Sequence, residues 1–479
     1  MITQTTWQAI PKKCIKDTVS LKKELEIANT DYFRTVNQGY KSEQESYYKE
    51  WKEDDQFFYA PRFFDPTPFL HEPQEIRYEI PIRERIILHC NTPLLPDQHE
   101  SWDALIENNG QILQLACGRG KTFLGIKYIC YRNHTAMVVV PTDILADQWK
   151  DEFLQFTDID ENDIGMVRGR NKFDYKKKVV ISTIQSLALI DYEALYGEDY
   201  YEFVDYFGTI IFDECHRLKA EHFRIVGSMF SGQRVGFSAT ALLHTGADKL
   251  YRLHLGKVVH SDLEQPMKPK IIFVETDFYV DQENFRKKRF RPDGEIAWQE
   301  PKPNISRMDT FVSLSEKRNN LIYNFLIRLI EKSDRYTMVI GKRVDQLKSL
   351  HTALEKYVRD HGLLGGVGLI VGSATSKKKK AARVEELKKR LVFGSEKIVK
   401  EGLNIQRMDR LVIINAVSDE VLFQQAIGRI CREHPEKNDP LVYFFVDPLI
   451  KSYYGMGRKL LRLCKKHGYE YEVVQVKLN

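Results

Sequence analysis

The chain has 479 residues, 43% of them hydrophobic and 29% charged, with 27 Gly and 17 Pro. That is too long for one core and too balanced for a disordered, collagen-like or coiled-coil protein. The net charge of +5 hides a split: residues 1–80 carry −3, residues 81–265 carry −6 and residues 266–479 carry +14. A basic C-terminal half fits a polyanionic partner, most often nucleic acid, but it equally fits a well-solvated surface.

No apolar run approaches the roughly 18 residues that a membrane helix needs. The N-terminus, MITQTTWQAIPKKC, has no apolar segment ahead of a small-residue cleavage site. A cytoplasmic protein without a membrane partner is expected. The seven cysteines (Cys14, Cys90, Cys117, Cys130, Cys215, Cys431 and Cys464) are scattered and form no C-x-x-C pair. Neither a disulfide framework nor a zinc site is expected.

Residues 1–80 are irregular in pattern. A charged helical start, Lys16 to Ala28, leads to an aromatic cluster at 47–64 that reads as core, and Tyr78–Ile87 alternates like a strand. From 111 the rhythm changes. QILQL (111–115), AMVVV (136–140), VVIST (179–183), TIIFD (209–213) and RVGFS (234–238) are short apolar runs, most of them separated by helical segments. Buried parallel strands of an α/β sheet read this way. MKPK near 268 suggests a hinge. A second series then follows: KIIFVE (270–275), TMVIG (337–341), VGLIV (367–371), LVFG (391–394), RLVIINA (410–416) and LVYFFV (441–446). The expected organisation is a small N-terminal domain (1–80) and two α/β lobes (81–265 and 266–479).

LACGRGKT, residues 115–122, lies between a strand and a helical run. A glycine-rich turn in that position lets backbone N–H groups wrap a phosphate at a helix N-terminus. Lys121 is expected to reach the β- and γ-phosphates and Thr122 to ligate Mg²⁺. Leu115 breaks the strict G-x-x-x-x-G-K-[ST] pattern, while Gly118 and Gly120 remain. IIFDECHR (210–217) puts Asp213 and Glu214 at a strand's C-terminal end, where ligands bind in open α/β sheets. Asp213 is expected to hold the Mg²⁺ shell and Glu214 to deprotonate the attacking water, with His216 coupling the site to the next segment. QQAIGRICR (424–432) places Gln425, Arg429 and Arg432 on a helix, with the two arginines on one face. Inserted from the second lobe, they can meet charge developing on a γ-phosphate. Each element alone would pass for an ordinary turn, surface pair or salt-bridged helix. It is their order that carries the reading.

That ordered set resembles the superfamily 2 helicases and translocases over about residues 94–446. LLPDQ (94–98) resembles the adenine-reading Q element, LACGRGKT motif I, VVVPTDILADQW (138–149) motif Ia and ISTIQSL (181–187) the T-x-Q-S element. DECH (213–216) resembles motif II, SAT (238–240) motif III and TMVIGKRVDQL (337–347) motif IV. VGSATS (371–376) is similar to the next strand–loop element, FGSEKIVKEGLNI (393–405) to motif V and 425–432 to motif VI. The narrower likeness is to UvsW-like branch-migrating helicases of tailed phages, related to RecG, Hef and XPB. The resemblance implies two tandem RecA-like lobes, with ATP and Mg²⁺ as cofactors. It places Gln98, Cys117, Gly118, Arg119, Gly120, Lys121, Thr122, Gly402 and Asn404 at the nucleotide. It places Pro141, Thr142, Thr183, Gln185, Lys342, Gly372 and Ser373 on the nucleic-acid track. Asn404 stands where Asp is frequent, and no aromatic precedes Gln98 in the usual place.

Three basic runs remain. RKKRFR (286–291), with Arg286, Lys287, Lys288, Arg289 and Arg291, lies where related enzymes carry a strand-separating insertion, at about 280–305. A DNA-binding loop or hairpin and a charged disordered loop both fit it. KKKK (377–380) begins a helical stretch, and RKLLRLCKKHGY (458–469) is an amphipathic basic helix best explained by core packing with exposed cations. The function implied is an ATP-dependent DNA helicase acting on forks and junctions. The alternatives are an RNA helicase or annealing chaperone, and the duplex-translocating subunit of a restriction complex.

Overall fold

The computed structural model describes all residues except 1, 5, 38–42, 79–84, 117, 170–172, 221, 243–245, 265–266, 287, 291–295, 300–301, 373–376, 397–406, 418, 432–433, 435–436, 438 and 479. The chain divides into two compact units, Met1–Glu264 and Gln265–Asn479.

The first unit begins with short strands: β1 (Ile2–Gln4), β2 (Trp7–Pro11), β3 (Glu26–Ala28), β4 (Tyr47–Lys49), β5 (Lys52–Glu53), β6 (Phe57–Pro61) and β7 (Ile76–Tyr78). Five of them form a mixed sheet in the order β5-β6-β2-β1-β7, and β3 pairs with β4. The helical start is confined to Thr18–Glu24, capped by the Asp17 side chain. Of the stretch expected as a strand over 78–87, β7 reaches Tyr78, residues 79–84 lie outside the described residues, and Arg85 makes an isolated bridge to His134. The aromatic cluster is core: Tyr48 and Phe58 are buried, and Trp51 stacks on Phe58 at 5.8 Å.

The core of this N-terminal sheet is completed by the helix Lys249–Leu255. Leu250 and Leu253 join Ile10, Leu21, Leu25 and Phe58 in one buried cluster. Polar groups close the same junction. Buried Glu50 accepts from Arg224 Nη1 at 2.7 Å and lies 2.9 Å from His254 Nε2. Buried Arg234 spends its guanidinium on carbonyls of Thr6, Phe230 and His254. Arg62 donates to Ser231 O and Gly232 O.

Burial pushes the Glu50 carboxyl up, but the hydrogen bonds and charges of His254 and Arg224 outweigh it and hold it below its ordinary value of 4.5. Removing one partner of a buried pair strands the others, so Glu50→Ala should cost about 3 kcal/mol at pH 7, measured by denaturant unfolding. A depressed carboxylate stabilises above its unfolded pKa and loses that contribution as pH falls through the folded value. The deficit of the variant should therefore shrink below pH 4.5.

The sheet that carries the motifs follows: β8 (Gln111–Leu115), β9 (Ala136–Val140), β10 (Ile164–Val167), β11 (Val179–Thr183), β12 (Thr209–Asp213), β13 (Gln233–Ser238) and β14 (Val258–Asp262). The order is β10-β11-β9-β12-β13-β8-β14, and every pairing is parallel. β9, β11 and β12 are buried at every position, which is why they read as unbroken apolar runs. β10 and β14 are absent from the sequence reading. They are the two edge strands and are only part-buried, so their sequences IGMV and VVHSD carry a weaker apolar signal.

The second unit repeats the plan. Its strands are β15 (Lys270–Thr276), β16 (Lys288–Phe290), β17 (Ile296–Gln299), β18 (Thr337–Gly341), β19 (Val367–Ile370), β20 (Leu391–Ser395), β21 (Arg410–Ile413), β22 (Leu441–Val446) and β23 (Tyr471–Val476). Seven form a parallel sheet, β19-β20-β18-β21-β22-β15-β23. The strand missing from the sequence reading, β23, is again an edge, exposed at four central positions. The basic insertion folds as an antiparallel hairpin in which Lys288 faces Gln299 and Arg289 faces Trp298. The 377–380 run opens the helix Lys377–Leu387. The C-terminal basic helix begins earlier than expected and spans Lys451–Lys466. Two RecA-like parallel-sheet lobes, the first fused to a small N-terminal sheet, make up the chain. Among the described residues no helix is long and apolar enough to cross a membrane.

Candidate nucleotide site and nucleic-acid track

Because every strand of the first large sheet is parallel, the segments 116–122, 141–142, 183–185, 213–216 and 238–240 all leave the carboxyl edge of that sheet. That edge is where α/β sheets bind ligands.

The turn after β8 uses two left-handed glycines, Gly118 (φ 93°) and Gly120 (φ 71°). Gly120 caps the helix Lys121–Arg132. The positive φ favours glycine here, and the Gln98 amide packs directly against Gly120. Gln98 is buried, and its Oε1 accepts from Leu95 N at 3.0 Å. The Q element is thereby packed onto the phosphate turn. The first N–H groups of the helix lack intrahelical acceptors, which suits an anion. Arg119 points its guanidinium elsewhere: Nη1 lies 2.7 Å from Asp97 and Nε 3.1 Å from Asp262, so it braces the turn between the Q element and the end of β14. Cys117 lies outside the described residues.

Lys121 and Thr122 open the helix, and Lys121 Nζ lies 3.5 Å from Glu214 Oε1. Glu214 itself has a left-handed backbone (φ 50°, ψ 50°), a strained state for a residue with a Cβ. The strain turns the carboxylate off the strand end. Its Oε2 lies 3.3 Å from His216 Nδ1, and that nitrogen is 2.9 Å from Ser238 Oγ. Ser238 Oγ also accepts from Thr240 N at 2.9 Å. A chain of contacts thus runs Lys121–Glu214–His216–Ser238. Asp213 accepts from the Glu214 N–H through Oδ1 and from Trp149 Nε1 through Oδ2, both at 2.9 Å.

Burial, then the neighbouring Glu214 charge, raises the Asp213 carboxyl above its ordinary value. Burial pushes Glu214 up too, but Lys121 and the His216 hydrogen bond outweigh it and hold Glu214 well below. Two carboxylates crowded at a buried strand end call for a further cation. Mg²⁺ suits them, because it takes few protein oxygens and keeps waters and phosphates as its other ligands.

The track residues sit on the same edge. Thr142 caps the helix Asp143–Phe156, and Thr183 caps the helix Ile184–Ala188 with its hydroxyl 2.9 Å from Ser186 Oγ. Pro141 is half-buried and Gln185 exposed.

In the second unit Lys342 follows β18. Its ammonium is 3.0 Å from Asp309 Oδ2, and its N–H donates to Asn415 Oδ1 at 2.8 Å. Gly372 (φ 76°) is exposed after β19, and its carbonyl accepts from Arg383 at 2.8 Å. Gln425 and Arg429 are buried on the helix Glu420–Ile430, where Gln425 Oε1 has no partner among the described residues. Arg286 pairs with Glu283 at 3.0 Å. Lys288 and Arg289 lie on the hairpin strand β16. Lys287, Arg291, Ser373, Gly402, Asn404 and Arg432 lie outside the described residues.

Sequence reasoning did not single out Trp149, Ser238 or Thr240 as individual site residues. All three stand within segments quoted as motifs Ia and III, which was the available signal.

Residues 91–242, which carry the whole of this first-lobe geometry, match the family "Type III restriction enzyme, res subunit". A relative from Acanthamoeba polyphaga mimivirus, "Putative ATP-dependent RNA helicase", is 28% identical over 375 residues, 77% of this chain and 66% of that protein. These matches support a helicase or translocase of superfamily 2. The DNA 3'-5' translocase XPB2 of Sulfurisphaera tokodaii is 28% identical over 222 residues, 44% of this chain and 47% of the relative. The match thus spans just under two thirds of the first relative and about half of the second. In fold, S. cerevisiae Dbp5 bound to RNA and ADP BeF3 is similar to this chain at 13% identity, with a TM-score of 0.53 over 80% of this chain and 90% of that one.

Proposed function

We propose that the chain is a nucleic-acid-stimulated ATPase that moves along DNA, unwinding or branch-migrating forked and junction DNA in replication, recombination or repair. The observation that carries this reading is the chain of contacts from Lys121 through Glu214 and His216 to Ser238 beside the phosphate turn. It links a phosphate-binding lysine, an acid able to take a proton from water and the S-A-T segment after β13.

In this reading the Gly118–Gly120 turn and the helix N-terminus hold the β- and γ-phosphates with Lys121, and Gln98 reads the base. Arg119 contributes its backbone N–H, since its side chain is committed to Asp97 and Asp262. Thr122 and Asp213 would hold Mg²⁺, which supplies charge neutralisation at the phosphates when bound. Glu214 orients water and accepts its proton. Gln425, Arg429 and Arg432 meet the developing charge from the second lobe. His216 touches both Glu214 and Ser238, so in this reading it would couple the acid beside the phosphate turn to the S-A-T segment. Pro141, Thr142, Thr183, Gln185, Lys342, Gly372 and Ser373 grip strand phosphates, a contact without base information. Gly402 and Asn404 complete the nucleotide contacts. The small N-terminal sheet and the basic hairpin strand with Lys288 and Arg289 support the fork-remodelling, UvsW-like form of the proposal.

The similarity to the mimivirus RNA helicase relative supports an RNA-directed reading as the second choice. The family match at 91–242 supports a restriction-type duplex motor as the third. Phosphate release should be measured with forked DNA, Holliday junctions, plain 3′- and 5′-tailed DNA, blunt duplex and structured RNA, alongside strand displacement. Forks and junctions are expected to stimulate most and to be remodelled. Stimulation confined to RNA, or by blunt duplex without strand displacement, would replace the proposal by the second or third reading.

A further inference from the structure

The helix Lys451–Lys466 has the sequence KSYYGMGRKLLRLCKK, with six basic residues and no acidic one. Its apolar side is used up inside the second unit. Leu460, Leu463 and Cys464 sit in that unit's main core cluster, and Tyr453 is buried with its hydroxyl on Asp309 Oδ1. A helix anchored this way cannot roll its apolar face into a bilayer or a partner's groove.

Its outward side, which also exposes Tyr454, Lys459 and Lys466, carries one straight line. Lys451, Gly455, Arg458, Arg462 and Lys465 recur at steps of four, three, four and three, and all five are exposed. At a rise of 1.5 Å per residue the line is about 21 Å long. None of its four cations makes an ion pair with a described residue. Arg458 and Arg462, four apart, are like charges on one face, an arrangement that weakens a helix. Lys451 sits in the first turn, where the helix dipole disfavours a cation. Gly455 adds a third local cost: glycine is a poor helix former, and a Cβ here would meet nothing within 4 Å, so no packing demand explains it. By contrast a Cβ on Gly457 would lie 2.9 Å from Val446 Cγ1. Three features that each weaken the isolated helix therefore coincide on one exposed line, and together they suit a rigid polyanion approaching the backbone closely at Gly455.

We propose that this face docks the phosphate backbone of a duplex nucleic-acid arm. Single-strand grooves commonly add stacking on aromatic rings to their phosphate contacts. The helix offers one exposed ring, Tyr454, 46% exposed and lying under the Arg458 guanidinium at 6.0 Å. Backbone-only recognition along a straight line of cations fits a duplex instead. The assignment rests on the proposed nucleic-acid function and adds to it a second contact, which would hold one arm of a fork while the lobes act on another.

The test uses the full chain in two variants. One carries Lys451→Gln, Arg458→Gln, Arg462→Gln and Lys465→Gln. The other carries Gly455→Leu, which keeps every charge, favours the helix and fills the approach. Binding of a labelled blunt duplex and of a labelled single strand is titrated against salt, with single-strand-stimulated phosphate release as the activity readout. In the fourfold variant the slope of log affinity against log salt for duplex should fall by about 3 to 4, and duplex affinity by at least about tenfold near 0.1 M salt. Gly455→Leu should weaken duplex binding severalfold. Single-strand binding and stimulated hydrolysis should be unchanged in both. Unchanged duplex binding, equal losses for duplex and single strand, or loss of hydrolysis would each overturn the assignment. A wild-type chain that no nucleic acid stimulates would instead overturn the proposed function.

Discussion

Glu214→Gln should lower ATP turnover by about a hundred- to ten-thousandfold while nucleotide binding persists, the range over which a positioned general base acts. The backbone at Glu214 is held in the left-handed region, which for such a residue costs on the order of 1–3 kcal/mol. Lys121 at 3.5 Å and His216 at 3.3 Å then keep the carboxylate ionised against its burial. Glutamine has the same shape and can hold a water, but it cannot take the proton. It also removes the anion that faces Lys121, so phosphate affinity should hold or rise. Phosphate-release kinetics and titration with a fluorescent ATP analogue separate the two effects. Unchanged hydrolysis would mean that the proton acceptor is another group.

Asp447→Ala should destabilise the second lobe by about 3–5 kcal/mol, the cost of leaving a buried charge without its partner. Arg318 and Asp447 are both 0% exposed. Arg318 Nε lies 3.0 and 3.1 Å from the two carboxylate oxygens, and Nη2 donates to Ile414 O at 2.9 Å. Thr276 Oγ1 donates to the same carboxylate at 2.6 Å. One ion pair therefore ties the ends of β15 and β22 and the residue after β21 to the helix Glu316–Lys332. Denaturant unfolding of the variant should show the loss. The double variant Arg318→Met/Asp447→Leu should recover much of it, because an apolar pair of similar volume avoids the desolvation cost. If the single variant unfolded at the wild-type denaturant concentration, the pair would not hold these elements together.

Much of the architecture was legible before any coordinates. The inner strands are buried on both faces, so runs such as AMVVV and TIIFD admit few other readings. The edge strands β10, β14 and β23 escaped because partial exposure removes that signal. The phosphate turn and the Asp213–Glu214 pair were legible because each is built from consecutive residues whose chemistry depends on local backbone shape. Trp149, 64 positions from Asp213, was not, since nothing local records that its indole N–H reaches that carboxylate.

By itself, then, the sequence determined the two-lobed α/β plan, the phosphate turn and the paired carboxylates, and left the basic segment at 286–291 open between a hairpin and a loop. These rest on contiguous periodicity and on residue types whose roles are set within a few positions. Only the tertiary structure decided how the N-terminal sheet completes its core on the helix Lys249–Leu255, and how Glu50, Arg224 and His254 close that junction. It alone joined Glu214 to Ser238 through His216, turned the Arg119 side chain away from the phosphate turn and laid four of the six cations of the C-terminal helix along one exposed line. The physical reason is the same in each case. A buried charge or a packed face is satisfied by whatever the fold brings near it, and that neighbour is set by long-range burial rather than by adjacent residues.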